Sequence, residues 1–164
     1  MSRFDSDERF QCDWDTKQEF LELIKRLFKG YDLNVDIPYD PHSTIDVYFT
    51  AYTDTVEAAY ACELKDRWDY DSTDYGADGQ EGWVIEDFKK KVLEEKKEEG
   101  YNPIYVNFYR DGVVRIWNLN RVKDFGTTGD KEWKRHTVDN EGGTYRKSKL
   151  TVFNKDAKEY DRWN

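Results

Sequence analysis

The chain is expected to fold as one α/β domain: a mixed sheet of four or five strands, a helix on each face, and a C-terminal extension. Three observations carry that expectation. Two amphipathic stretches each stop at a glycine, Gly30 and Gly100. Strand-like runs rich in β-branched and aromatic residues lie between them. Two further such runs flank Asp111-Gly112, a strong hairpin signal. With 164 residues the chain can bury one real core, and two cores are not expected.

Residues 1–15 are polar, acidic and without period, and read as a flexible acidic arm ahead of a single domain over 16–164. In 16–29, Phe20, Leu21, Ile24, Leu27 and Phe28 form one apolar helical stripe that Gly30 terminates. Thr16 followed by Glu19 makes a capping-box pattern that sets the expected start. Residues 31–37 alternate weakly and are broken by Pro38 and Pro41. In 44–52, Ile45, Val47 and Phe49 share one strand face, and Asp46, Tyr48 and Thr50 the other. Residues 56–65 form a small-residue apolar strand joined to it through Thr53-Asp54. A polar loop spans 66–82, and long loops are often functional.

The spacing predicts a second helix over 83–99, with Val84, Ile85, Phe88, Val92 and Leu93 on one side. Strands are expected at 104–109 and 113–118. Beyond Asn120 only 150–153 reads as a strand, and Gly126, Gly129, Gly142 and Gly143 mark turns.

Composition narrows the function classes. Only 37% of residues are hydrophobic and mean hydropathy is -1.04, but 6 Trp, 12 Tyr and 9 Phe supply the rings of a packed core. No stretch approaches the roughly 18 apolar residues of a membrane span, and the first residues lack the apolar run of a signal peptide. Cys12 and Cys62 stand far apart without a CxxC pair, so neither a disulfide framework nor a structural zinc site is expected. A reducing, intracellular and cytoplasmic setting fits them. Net charge is -9, yet residues 131–164 hold nine Lys or Arg against six Asp or Glu, while the remainder holds 17 against 29. A basic lobe therefore follows an acidic body. Bulk acidity argues against indiscriminate nucleic-acid binding, because phosphate neutralisation supplies most non-specific affinity.

The order helix, strand, strand, strand, helix, strand, with Asp46 early in the second strand and Glu63-Leu64-Lys65 ending the third, resembles the PD-(D/E)XK nuclease superfamily. Its restriction-endonuclease-like αβββαβ core places an Asp on the second strand and Glu-x-Lys on the third. The resemblance covers the core 16–118 and leaves the basic C-terminal extension 119–164 outside. A [DE]-x-K triplet alone says little, since it occurs seven times in this chain. Glu63 is singled out because it ends an apolar strand beside another that carries an acid, and a period of two puts Glu63 and Lys65 on one face. The family's Pro before the Asp is replaced by Ile45. Asp40 and Asp36 compete with Asp46, although Asp40 falls in the Pro38 to Pro41 turn, where no ladder would hold it opposite Glu63.

The resemblance implies a divalent-metal-dependent nuclease, foremost a DNA endonuclease, with nucleic acid as partner and no membrane. Two carboxylates and a carbonyl suit Mg²⁺ or Mn²⁺, hard ions that keep several waters and meet phosphate directly. Asp46 and Glu63 are the expected ligands, with the Leu64 carbonyl a third. Lys65 would orient the attacking water or stabilise charge growing in the transition state. Family members often add a carboxylate from the first helix, for which Glu19 is the candidate, with the capping box as its structural alternative. Lys89, Arg146, Lys147 and Lys149 are candidate phosphate contacts, each also explicable as a solvated charge. Many relatives pair to cut two strands, so a homodimer is compatible with this reading. The rival class is a catalytically inactive module that uses the same fold to bind protein or nucleic acid. In it, Glu63 and Lys65 would be a simple surface ion pair.

Overall fold

The computed structural model describes residues 6–40, 43–74, 81–134 and 144–163, with side chains described over 13–40, 43–74, 81–126 and 149–163. Helix α1 (Ser6–Leu27) starts well before Thr16. The expected flexible arm is thus helical from Ser6, and Thr16 lies buried inside the helix instead of capping it. No Gly or Pro interrupts 6–15, so nothing stops the helix from propagating toward the N-terminus. At the other end Gly30, at φ +87, adopts the left-handed conformation that closes it.

Strands β1 (Asp32–Asp36), β2 (Val47–Tyr52) and β3 (Glu57–Arg67) form an antiparallel meander. The β2–β3 turn is closed by Thr53, whose N–H donates to the Val56 carbonyl at 2.8 Å and whose hydroxyl accepts from the N–H groups of Thr55 and Val56. Next come β4 (Gly82–Glu86) and α2 (Asp87–Glu98), and then β5 (Asn102–Tyr109), which pairs parallel to β3. Strand β6 (Val113–Asn118) returns antiparallel to β5. Strands β7 (Gly126–Lys134), β8 (Thr144–Phe153) and β9 (Lys158–Asp161) complete the chain.

The segment expected to open the second helix is instead β4. Trp83, Val84 and Ile85 are all buried, a continuous aromatic and β-branched run suited to a strand covered on both sides. Gly82 is required there, since a Cβ would stand 2.5 Å from the Val152 carbonyl oxygen. The main sheet holds six strands, in the order β1-β2-β3-β5-β6-β9, against the four or five expected. The extension accounts for the difference: β9 extends the sheet beside β6, and β8 draws β4 into a separate three-stranded sheet, β4-β8-β7.

Each face of the main sheet has its own core. On one, Phe20, Leu23 and Ile24 of α1 pack against Val47, Phe49, Cys62, Leu64, Val106 and Phe108. Full burial of such side chains contributes roughly 1.5–3 kcal/mol each. On the other, Val92 and Leu93 of α2 and Trp83 and Ile85 of β4 close over Ala61, Tyr105, Tyr109 and Trp117. Among the described residues, no helix is long and apolar enough to cross a membrane.

Candidate active site

Asp46 immediately precedes β2, and two bonds tie it to the third strand. Its N–H donates to the Cys62 carbonyl at 3.0 Å, and its Oδ2 accepts the Leu64 N–H at 2.8 Å. The carboxylate is thereby held against β3 beside Glu63. Its other oxygen takes no hydrogen bond from the described residues. Alternation along β3 places Cys62 and Leu64 toward α1 and sends Glu63, Lys65 and Arg67 to the opposite face, under α2 and β4.

Glu63 is 3% exposed, unusual for a carboxylate in the middle of a sheet. Burial, and after it the charge of Asp46, push its pKa up from 4.5 to about 7, against the lowering influence of Lys65 and Lys89. A charge taken out of water costs several kcal/mol unless it is paired. The pairing comes from α2: Lys89 Nζ lies 3.3 Å from Glu63 Oε1 and 3.4 Å from Oε2. Lys65, one step further along the same face, makes no hydrogen bond or ion pair with the described residues, and its ammonium group acts on Glu63 only through its field.

Arg67 continues this row and sets the position of what covers it. Its guanidinium donates to the Val84 carbonyl at 3.1 Å and to the Tyr105 hydroxyl at 2.9 Å, and that hydroxyl donates in turn to the Val84 carbonyl at 2.9 Å. The clasp fixes β4 across the end of β3. Helix α2 follows β4 directly, so Lys89 in its first turn is delivered to Glu63.

The sequence offers Lys89 as a candidate phosphate contact or a solvated charge; the structure gives it Glu63 as an intramolecular partner. Arg67 and Tyr105 were missed, though the period of two that links Glu63 to Lys65 would have reached Arg67 had the strand been extended past Lys65.

Other candidates lie elsewhere. The Glu19 carboxylate is gripped by Arg162, with Nε to Oε2 at 2.6 Å and Nη2 to Oε1 at 3.2 Å, on the α1 side of the sheet, so it does not join Asp46 and Glu63. Leu64 contributes its N–H to Asp46, and its side chain is packed in the α1 core. Lys149 sits in β8 opposite Glu86 of β4. Arg146 and Lys147 pair in backbone register with Glu132 and Lys131, but their side chains lie outside the described residues. Trp83 and Trp117 are core residues, while Trp68 and Tyr70 remain partly exposed beyond β3, Tyr70 meeting Trp83 edge-on. Cys62 is a buried free thiol facing α1.

The donor set suits a hard divalent cation in chemistry, if sparsely. Among the described residues there is no cluster of three His, Cys, Asp or Glu side chains that could hold a metal. Mg²⁺ needs only one or two carboxylates when waters and a phosphate complete its shell. The Asp46 charge penalises ionisation of the neighbouring Glu63, a conflict that a cation between the two carboxylates would relieve. A depression of about 440 Å³ lies at the β2–β3 turn and includes Asn34, Tyr52 and Glu57. Strand rise puts Glu57 roughly 20 Å from Glu63, so this hollow is not part of the carboxylate site. No family model, curated protein or solved structure matches the chain.

Proposed function

We propose that the protein is a divalent-metal-dependent phosphodiesterase acting on nucleic acid, a DNA endonuclease of the PD-(D/E)XK type with Asp46, Glu63 and Lys65 as its site. The observation that carries this reading is the Asp46 carboxylate docked on the Leu64 N–H next to buried Glu63, with Lys65 on the same face. The setting supports it: in the main sheet α1, an antiparallel β1–β2–β3 meander, a crossover through β4 and α2, and β5 parallel to β3 resemble the αβββαβ order, with β4 added in the second sheet.

Asp46 and Glu63 would hold Mg²⁺ or Mn²⁺, which when bound polarises a phosphoryl oxygen and acidifies an attacking water. Lys65, an ammonium with no partner among the described residues, orients the water and offsets charge developing on the phosphoryl oxygens. Lys89 favours the ionised form of Glu63 against its burial and holds the carboxylate in place. In the test, Asp46→Asn, Glu63→Gln and Lys65→Ala are each assayed for cleavage and thermal stability. Loss of cleavage by at least about a hundredfold with folding retained is expected for Lys65→Ala, in keeping with the loss of one charge-stabilising donor.

One observation favours a second reading, a non-catalytic binding module: the Lys89 ion pair already compensates Glu63 without any metal. The two are separated by calorimetric titration with Mn²⁺. A catalytic site binds the ion and loses it on Asp46→Asn, whereas a module of this kind takes up none.

A further inference from the structure

Strand β1 is the terminal strand of the main sheet and pairs only with β2 among the described residues, so one row of its N–H and C=O groups is unused by the sheet. Its two faces differ in chemistry. Leu33 packs toward the α1 core and Val35, on the same face, is 37% exposed. Asp32, Asn34 and Asp36 fall on the other face by alternation. Asn34 also borders the 440 Å³ depression, whose rim carries Thr50, Tyr52, Asp54, Thr55 and Glu57. The Lys96 ammonium over the Tyr48 ring marks how far α2 reaches over this part of the sheet.

Charge decides what this edge can accept. Between Lys29 and Lys65 the sequence holds seven Asp or Glu and no Lys or Arg. The four of these acids that line the edge and its hollow, Asp32, Asp36, Asp54 and Glu57, disfavour a polyanion. A second copy is disfavoured too, because antiparallel pairing of β1 with itself sets Asp32 against Asp36 of the other chain, and directly opposed like charges are destabilising. A strand of opposite sign meets neither obstacle.

We infer that the β1 edge is a docking site for an extended, lysine- or arginine-rich segment of another protein, added to the sheet as a further strand. Cations at alternate positions of that segment lie beside Asp32 and Asp36, with one reaching the hollow at Asn34, Asp54 and Glu57. The intervening β-branched residues cover Val35. The backbone supplies affinity and the acids supply selectivity.

The probe is a labelled synthetic peptide of about seven residues alternating Lys and Val, a length near that of an ordinary strand. Its binding to the full chain is measured by fluorescence anisotropy at low salt, without metal or nucleic acid, so that the result is independent of the nuclease reading. The parent is expected to bind it, and the Asp32→Asn/Asp36→Asn variant to bind about tenfold more weakly with unchanged melting, since both acids are exposed and contribute as screened charges. Alternating Glu and Val is expected to fail, and so is the Lys–Val peptide N-methylated along its pairing edge. Undetectable binding of the Lys–Val peptide to the parent overturns the proposal. So does equal binding by the double variant, by the Glu–Val peptide or by the N-methylated peptide.

Discussion

Lys89 Nζ stands 3.3 Å from Oε1 and 3.4 Å from Oε2 of Glu63, joining the first turn of α2 to the centre of β3 across the interior of the protein. The carboxylate is almost wholly buried and the ammonium about one-fifth exposed, so solvent screens the pair far less than it screens the i,i+4 pairs along α2. The pair links fold to site, because the residue that secures the helix on the sheet also neutralises the proposed metal ligand.

Removing the cation should therefore be costly, and the cost should depend on pH. Lys89→Met strands Glu63 as a buried charge, for which a loss of about 3–5 kcal/mol is typical. At pH 5 the carboxyl takes up a proton and most of that loss disappears. Urea denaturation at pH 5 and pH 8 checks this, and equal losses at both pH values would show that Lys89 acts by packing alone.

The raised pKa of Glu63 gives the parent its own pH signature. The unfolded group ionises near 4.5 and the folded one near 7, so Glu63's contribution to stability is fully present below pH 4.5, declines between 4.5 and 7, and is lost above that. A shift of this size corresponds to about 3 kcal/mol. Glu63→Gln should flatten that decline, so that the variant gains on the parent as pH rises from 5 to 8. A constant difference in unfolding free energy between the two across this range would contradict the burial argument.

Cys62 should be inert in the native state. Burial, and then the neighbouring Asp46 charge, raise its thiol well above the ordinary value, and thiolate is the reactive form. Peptide mapping after iodoacetamide treatment should find Cys62 unmodified in buffer and modified in denaturant; rapid labelling in buffer would mean that the β2–β3 pairing opens readily.

The basic tail supplies a test of how substrate is held. If Arg146, Lys147 and Lys149 contact phosphates, alanine at all three positions should weaken DNA binding and flatten the salt dependence by roughly 0.7–0.9 per lost contact on a log–log plot. The measurement is a salt titration of binding in Ca²⁺; superimposable slopes would move the phosphate grip elsewhere.

Local signals made much of this architecture legible. The stripe from Phe20 to Phe28, the alternation around Val47 and Phe49 and the Asp111-Gly112 turn each encode their element within a few residues, and all three elements are present. The misread run at Trp83 to Ile85 illustrates the limit. Its apolar positions fit either period, and the deciding partner, Thr151 to Phe153 of β8, lies some seventy residues away in sequence. Strand β9, four residues long, is likewise defined only by its pairing with β6. At the site, Glu63 and Lys65 could be put on one face from their spacing, and Asp46 was named beside them. The partner chosen by Lys89 depended on where β4 places α2, and the Arg162 grip on Glu19 joins positions near opposite ends of the chain.

The most direct test of the central claim is incubation of purified protein with labelled duplex DNA, single-stranded DNA, branched DNA and RNA in Mg²⁺, Mn²⁺ and EDTA, with the Lys65→Ala variant in parallel. Cleavage of at least one DNA substrate in Mg²⁺ or Mn²⁺, abolished by EDTA and by Lys65→Ala, is the predicted result. Intact substrates throughout, or cleavage undiminished by EDTA, would contradict the assignment of Asp46, Glu63 and Lys65 as a metal-dependent nuclease site.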